Sequence, residues 1–374
     1  MCASVLCAGL LGLSFLAPRP ASADDSAPKK PKILIVPGHE PDNGGAEFGK
    51  VKERDLAVEL SEDLREYLEA DGGYEVFVTR NGGSWDPVFQ GYFDAKWQDI
   101  LDWKRKAKQD LSQLIAIGST SRMMPTIIHN KADSDAATRL YGITKWANEN
   151  GIDLVIHVHL NDDPVRKTNA AGTFSGFAIY APAEQYSNSM QTHSAARSVF
   201  KRLALYNAVS DLPQESQGII DDPDLIAVGA NDTSRSPSML IEYGYIYARQ
   251  FTDPVVRPLA LKDLAHATYL GLQEFFGRDA DRAPGSHDSS LLPYLWTSPV
   301  TATSSPRDIF ALQTSLAAAG AYPPRGKTKN DCPRSGLFGS CTKSALASFQ
   351  RDREIEGESG VAGEKTIAAL HANF

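Results

Sequence analysis

The stretch DLVIHVHLND, residues 153–162, predicts both the fold and a place for chemistry. It opens with the apolar run LVI, which is typical of a strand buried on both faces of a sheet. His157 and His159 follow where that strand should end, and side chains two residues apart on a strand point to the same face. The pair therefore indicates either a polar detail of the core or the edge of a metal site.

Strands and helices alternate around this stretch from Lys32 to Gly277. The other predicted strands are KILIV (32–36), YEVFVTR (74–80), GFAIYA (176–181) and SMLIEYGYI (238–246). Helically spaced apolar residues predict helices over residues 53–70, 136–151, 189–206 and 258–277. This alternation predicts an α/β fold, with a mainly parallel sheet flanked by helices over residues 30–277.

An aromatic-rich insert, about residues 82–131, separates the second strand from the next helix. It contains Trp85, Trp97 and Trp103, with further aromatic and apolar residues at helical spacing. We favour a helical cap on the sheet edge, because helically spaced aromatic residues pack more often than they recognise ligands. A lid near the site is the alternative.

Length and composition indicate a two-domain protein with an ordinary soluble core. The chain has 374 residues, of which 42% are hydrophobic and 22% charged. The net charge of -8 argues against a nucleic acid partner, because phosphate binding needs basic patches. Residues 278–307 are dense in Pro, Ser, Thr and Asp and are predicted to be a linker, which leaves a small unit at 308–374.

Residues 1–23 have the features of a signal peptide. An apolar run too short to span a bilayer precedes the cleavage pattern ASA, so that Asp24 would begin the mature chain. No Lys or Arg precedes the run, which leaves open a start further upstream, and a lipid anchor on Cys7 is a weaker alternative. We expect export to the periplasm, the cell wall or the medium, without stable membrane insertion after cleavage.

Export also affects the interpretation of the cysteines. Cys2 and Cys7 would leave with the signal peptide, whereas Cys332 and Cys341 remain close in sequence. In an oxidising compartment the two are predicted to form a disulfide, and two reduced cysteines are the alternative.

Three further residues support a metal site. His39 follows a predicted strand, as His157 and His159 do, and ligands bind at the carboxyl ends of strands in open parallel sheets. Glu53 begins the next helix, aimed back at the same edge, and Glu242 ends the apolar run MLIE. Two histidines, one glutamate and an open position suit one catalytic Zn²⁺ per chain, and a further carboxylate can serve as general base. Taken alone, Glu53 would be explained as an acid that favours the helix dipole.

Six segments occur in the order found in zinc-dependent N-acetylmuramoyl-L-alanine amidases of the Amidase_3 family. They are ILIVPGH, KERDL, RLYGITKWAN, IDLVIHVHLN, GFAIYA and SMLIEYGYI. The resemblance covers Lys32 to Gly277 apart from the insert, and it implies the phosphorylase/hydrolase-like fold of zinc amidases. It also implies hydrolysis of the amide between the lactyl group of N-acetylmuramic acid and L-alanine of peptidoglycan. Within that resemblance the zinc ligands are His39, Glu53 and His159, and the catalytic glutamate is Glu242.

The sequence departs from the family at two positions beside these residues. The family usually has Ser where His157 stands and Gly where Glu40 stands. His157 is therefore a candidate neighbour of the ligands or, with less support, a ligand in place of His159. Asn161 matches the Asn after the ligand histidine and is a candidate to face the substrate. Glu47 is a rival of Glu53, but it lacks the basic residue that follows.

The C-terminal region from Asp308 to Leu370 resembles a second family. The order LQ, Gly-x-Phe-Gly, T-x-x-A-L-x-x-FQ and Gly-x-x-Gly-x-x-T-x-x-x-L is similar to the peptidoglycan-binding domains of the PG_binding_1 type. The resemblance implies a compact three-helix domain and peptidoglycan as partner. The loop PPRGKTKNDCPRSG is longer than that family needs, and the predicted disulfide would fasten it.

The favoured function is therefore an exported zinc hydrolase that takes part in peptidoglycan catabolism and cell-wall remodelling. One alternative is a catalytically inactive or regulatory peptidoglycan-binding protein, and another is a zinc peptidase acting on stem peptides. The presence of the full set of candidate ligands and of the acid favours catalysis. The sequence names no regulatory protein partner, oligomeric state or muropeptide specificity.

Overall fold

The computed structural model of the protein describes residues 29–127, 133–278 and 287–373. The predicted signal peptide, residues 1–23, and the last residues of the predicted insert lie outside the described residues. None of the described helices is long and apolar enough to cross a membrane.

The described strands and helices follow the predicted alternation. The strands are β1 (Lys32–Pro37), β2 (Glu47–Phe48), β3 (Val51–Lys52), β4 (Glu75–Val78), β5 (Leu154–Asn161), β6 (Ala178–Pro182), β7 (Ile219–Asp222) and β8 (Ser238–Tyr245). The helices are α1 (Glu53–Asp71), α2 (Pro87–Ala116), α3 (Ser134–Glu149), α4 (Ser189–Tyr206), α5 (Arg249–Thr252), α6 (Arg257–Phe275), α7 (Pro306–Ala318), α8 (Ser340–Asp352) and α9 (Glu364–His371). A short 3-10 helix, Ile226–Val228, lies between β7 and β8.

The main sheet has six strands in the order β4-β1-β5-β8-β6-β7. The first four are parallel, β6 runs antiparallel to β8, and β7 is parallel to β6. The predicted α/β class with a mainly parallel sheet is confirmed, although β7 was not among the predicted strands. Because β1, β5 and β8 are adjacent and parallel, their carboxyl ends lie together at one edge of the sheet.

Helices cover both faces of this sheet. Side chains of α1, α4 and α6 pack with one face of β1, β5 and β8 in the largest apolar cluster, which contains Ile33, Leu60 and Ile156. Side chains of α2 and α3 pack on the opposite face, in a cluster that contains Leu34 and Tyr141. Alternate residues of β1 thus enter opposite layers, as the two-residue period of a strand requires.

The aromatic-rich insert forms the long helix α2. Phe89, Phe93 and Ile100 are its buried residues, and they pack with α3 and the sheet as the cap interpretation expects. The end of α2 is different, because Leu114 and the following Ile117 are exposed. The fully buried residues of α2 therefore lie in its first half, and its second half is more exposed.

The C-terminal region contains the helices α7, α8 and α9, which share their own apolar cluster. Cys332 and Cys341 are joined by a disulfide. Part of the predicted linker is packed rather than free: Leu291 and Leu292 are buried, and Leu291 lies in a cluster with Ala260 of α6 and Phe310 of α7. Apolar side chains that find a partner surface are buried even within a segment rich in Ser and Pro.

Candidate metal centre

The loop after β1 carries His39 to the carboxyl edge of the sheet. Gly38 lies so close to the next strand that an added Cβ would stand 2.5 Å from the ring of His159. His39 itself has a φ of 68°, a left-handed conformation that costs energy for a residue with a Cβ. The loop is therefore held in a conformation that brings the two imidazoles together, and their ring centroids are 4.8 Å apart.

Glu53 occupies the first position of α1 and is almost fully buried, with 4% of its surface exposed. Its Oε2 accepts a hydrogen bond from the backbone of Ala46 at 2.8 Å, and its Oε1 accepts one from Leu160 at 3.1 Å. The same Oε1 lies 2.8 Å from Nε2 of His39 and 2.9 Å from Nδ1 of His159. Two backbone amides thus orient the carboxylate towards both rings.

The charge state of Glu53 follows from these contacts. Burial opposes its ionisation, but the close contacts of the carboxylate with the rings of His159 and His39 outweigh burial and hold the pKa of Glu53 well below its usual range. Glu53 is therefore an anion at neutral pH, as a metal ligand must be.

His39, Glu53 and His159 are brought together as the sequence predicts. One nitrogen or oxygen from each lies within 4.8 Å of the other two. Within the described residues, these three side chains form a group that could hold a metal ion. Although Nε2 of His39 is close to the carboxylate, it is not aligned for a hydrogen bond and has no such partner in the described part of the chain. Two imidazoles and one carboxylate are a donor set that fits zinc.

Glu242 lies beside this group on β8, directly paired with His159 of β5. Burial raises its pKa well above the usual range, and the negative charges of Glu53 and Glu215 raise it further. Its Oε2 has no hydrogen-bond partner within the described ranges. A carboxyl group with a raised pKa in such a position can act as a general acid or base.

Comparison with known proteins identifies the family of the chain. The family model for N-acetylmuramoyl-L-alanine amidase matches residues 33–111 and 120–274, together more than half of the chain. The chain belongs to the N-acetylmuramoyl-L-alanine amidase family. A peptidoglycan binding domain model matches residues 305–370.

One curated relative is the germination-specific N-acetylmuramoyl-L-alanine amidase of Bacillus subtilis. It is 25% identical over 167 residues, which are 44% of this chain and 54% of that protein, so the chain spans about half of the relative's length.

Solved structures similar to this chain include two at low identity. The CwlD amidase from Clostridioides difficile, solved in complex with the GerS lipoprotein, is 16% identical with a TM-score of 0.43, and the match covers 67% of this chain and 100% of that one. Ami1 from Mycobacterium smegmatis is 15% identical with a TM-score of 0.44, over 66% and 97% of the two chains.

The remaining predicted site residues lie around the candidate metal group and outside it. His157 is buried, its ring hydrogen-bonds the backbone of Ala227, and burial lowers its pKa to about 3. Glu40 pairs with Arg139 at 3.0 Å, and burial nevertheless raises the pKa of Glu40. Glu47, the rival of Glu53, is half exposed and forms its ion pair with Arg54.

Asn161 contacts Glu215, a buried carboxylate that the sequence analysis did not identify. Its amide donates to both oxygens of the buried Glu215, at 2.7 and 2.9 Å. Tyr180, Ser210 and Tyr245 also donate hydroxyl hydrogen bonds to Glu215. Glu215 lies in the irregular segment before β7, where no periodicity marks a residue as buried, and so the sequence carried no signal for it.

Arg80 is a second residue that the sequence did not single out. It lies two residues after the end of β4, is 1% exposed, and donates hydrogen bonds to the backbone carbonyls of Pro37, before His39, and Arg54, after Glu53. The sequence offers one signal for Arg80, which is a charged residue at the carboxyl end of a predicted strand. Its targets could not be predicted, because every residue carries a carbonyl.

Proposed function

We propose that this protein is a zinc-dependent amidase that hydrolyses the bond between N-acetylmuramic acid and L-alanine in peptidoglycan. The observation that carries the proposal is the meeting of His39, Glu53 and His159 at one edge of the sheet, with Glu242 paired beside His159. Family membership supports the same reaction class.

In this proposal His39, Glu53 and His159 hold the metal. When bound, zinc supplies Lewis-acid chemistry, which favours attack of water on a carbonyl and stabilises the negative charge that develops there. Glu53 brings one negative charge and the neutral imidazoles bring none. The site would therefore keep a net positive charge, which this chemistry needs.

Glu242 is proposed to move the proton. It lies outside the ligand group, so its carboxylate is free to take a proton from the attacking water and to return it to the departing amine of L-alanine. The raised pKa of Glu242 favours the second of these steps, because a carboxyl group that holds its proton more tightly than usual can carry it to the departing amine.

The C-terminal region is proposed to hold the enzyme to its polymer. The match to a peptidoglycan binding domain supports this role. A peptidoglycan substrate lies outside the cytoplasm, so the proposal includes export. The disulfide between Cys332 and Cys341 agrees with an oxidising compartment.

The test combines metal analysis with product analysis. Purified wild type should bind one zinc per chain and release free stem peptides with an N-terminal L-alanine from isolated sacculi, as identified by mass spectrometry. His159→Ala should lose both zinc and product, whereas Glu47→Ala, which removes the rival acid, should keep both. Peptide fragments cut within the stem would favour a zinc peptidase, and zinc binding without any cleavage would favour the inactive binding protein.

A further inference from the structure

We propose that Arg80 is a positioning residue for the metal centre, which holds the His39 loop and the first turn of α1 at the correct separation. The inference rests on the zinc site proposed above and names the residue that assembles it. His39 and Glu53 come from separate segments, and neither segment alone fixes the distance between them.

The contacts of Arg80 join these two segments directly. Its Nε donates to the carbonyl of Pro37 at 3.3 Å, and its Nη2 donates to the carbonyl of Gly38, the residue before His39. The same Nη2 donates to the carbonyl of Arg54, the residue after Glu53, at 3.0 Å. One guanidinium therefore touches the backbone on both sides of the ligand pair.

The loop that carries His39 needs such support. The left-handed φ of His39 is strained for a residue with a Cβ, and strained conformations persist only where their surroundings hold them. Arg80 binds the two carbonyls that immediately precede His39 and so fixes the direction in which the chain enters that residue.

The hydrogen-bond acceptors of Arg80 indicate a positioning role rather than ordinary stabilisation of the fold. Burying a charged group is costly, and a buried arginine is usually compensated by a carboxylate. Within the described ranges, no carboxylate oxygen lies within the 4 Å of an ion pair with Arg80; its recorded acceptors are the carbonyls of Pro37, Gly38, Arg54 and Asn81. The guanidinium is therefore tied to backbone whose position sets the ligand geometry.

Lysine could not replace this arrangement. The guanidinium is a rigid planar fork with five donors, whereas the ammonium of lysine is a single point with three. Arg80→Lys keeps the charge but cannot reach the carbonyls of Gly38 and Arg54 with the same fork. The substitution thus separates the geometry of the side chain from its charge.

The experiment measures zinc affinity of the full-length protein by competition with a chromophoric chelator. We expect Arg80→Lys and Arg80→Gln to raise the zinc dissociation constant by about 10- to 100-fold, the range found for residues that orient metal ligands. Activity of Arg80→Lys measured at limiting zinc should recover as zinc is increased. Unfolding temperatures of the metal-free proteins report on the fold separately.

Arg278→Lys is the matched control. Arg278 donates to the side chain of Asp71 and to the carbonyl of Gly73, past the opposite end of α1 and about 27 Å along the helix from Glu53. This substitution should change stability without changing the zinc dissociation constant.

The outcomes distinguish the two proposals. If wild type binds no zinc, the proposed function fails before Arg80 is tested. If wild type binds zinc and the two Arg80 variants bind it equally well, only the role of Arg80 is overturned. Metal-free variants that are already unfolded would assign Arg80 to the fold and would overturn its role as well.

Discussion

The two buried arginines of the described chain, Arg80 and Arg334, are satisfied in opposite ways. Arg334 lies where the C-terminal region contacts the amidase domain, with its Nη1 2.8 Å from Oδ2 of Asp263 on α6, and both side chains are about 95% buried. Arg80 lies at the metal centre and donates to carbonyls instead. Arg334 has an anion beside it, whereas Arg80 has none within ion-pair distance among the residues that the structure describes.

The difference extends to the acids of the two regions. Asp263 is fully engaged, because it also accepts hydrogen bonds from Ser289 and Ser290. Glu242, by contrast, has an oxygen without a partner among the described residues, and burial raises its pKa. The contact region completes its charges within the protein, whereas the candidate metal centre leaves an oxygen of Glu242 without a partner among the described residues. In our proposal the paired charges serve stability, and the unpaired acid Glu242 transfers a proton.

The largest effect should follow from removing the unpaired acid. Glu242→Gln keeps the shape of the side chain but cannot exchange a proton, so we expect activity on sacculi to fall by about 10²- to 10⁴-fold. Zinc content should stay at one per chain, because Glu242 lies outside the ligand group. Glu62→Gln, the same change on the exposed side of α1, is the control. Activity of Glu242→Gln within a few fold of wild type would remove Glu242 from the mechanism.

Breaking the ion pair of Asp263 and Arg334 should lower the stability of the protein rather than its activity. Asp263→Asn leaves Arg334 buried without its anion, and we expect a loss of about 3 to 5 kcal/mol in the free energy of unfolding, measured with denaturant. Zinc affinity should not change.

The double variant Asp263→Leu with Arg334→Met tests the same ion pair by removing both of its charges. Replacing both charges by apolar side chains should recover most of the lost stability, because neither charge is then left uncompensated. A single substitution that costs less than about 1 kcal/mol would show that the pair is not buried in solution.

Removing the metal should destabilise the metal centre by a smaller amount. A ligand at 100 times its dissociation constant stabilises the folded state by about 2.7 kcal/mol, so a chelator should lower the unfolding temperature of wild type accordingly. Asp263→Asn should show the same zinc-dependent difference as wild type, and His159→Ala should show none. An equal response of His159→Ala and wild type to the chelator would mean that zinc binds elsewhere.

The parts that could be predicted from sequence are those with a local signal. Apolar runs marked β1, β5 and β8, and the carboxyl ends of such strands are where ligands bind. His39, His159 and Glu242 follow or end these runs, and Glu53 begins a helix with clear apolar spacing. Their convergence was therefore predictable before any coordinates.

The rest depended on tertiary contacts without a local signal. Arg80 acts through carbonyls, which carry no sequence identity, and Glu215 is buried by groups from several separate elements. Arg334 and Asp263 are 71 positions apart, in a loop and on a helix, and nothing in either segment specifies the other. Leu291 was assigned to a linker because the residues around it are polar, although its partners are on α6 and α7.

The smallest effect concerns the pH dependence of the zinc-free protein. Glu242 has a raised pKa in the folded state, so the folded protein binds its proton more tightly than the unfolded chain does. The stability that this group contributes is fully present below its unfolded pKa of about 4.3, and it is lost as the pH rises through the folded pKa. Glu242→Gln removes this dependence.

Zinc-free wild type should therefore lose stability relative to zinc-free Glu242→Gln as the pH rises from about 5 to about 8. Glu53 cannot mimic this result: its pKa is lowered, so its contribution is lost only at acid pH, and it is present in both proteins. Denaturant unfolding of both proteins at the two pH values measures the difference. If the two stability curves ran parallel, Glu242 would be paired in solution like Asp263, and the contrast between the two regions would be lost.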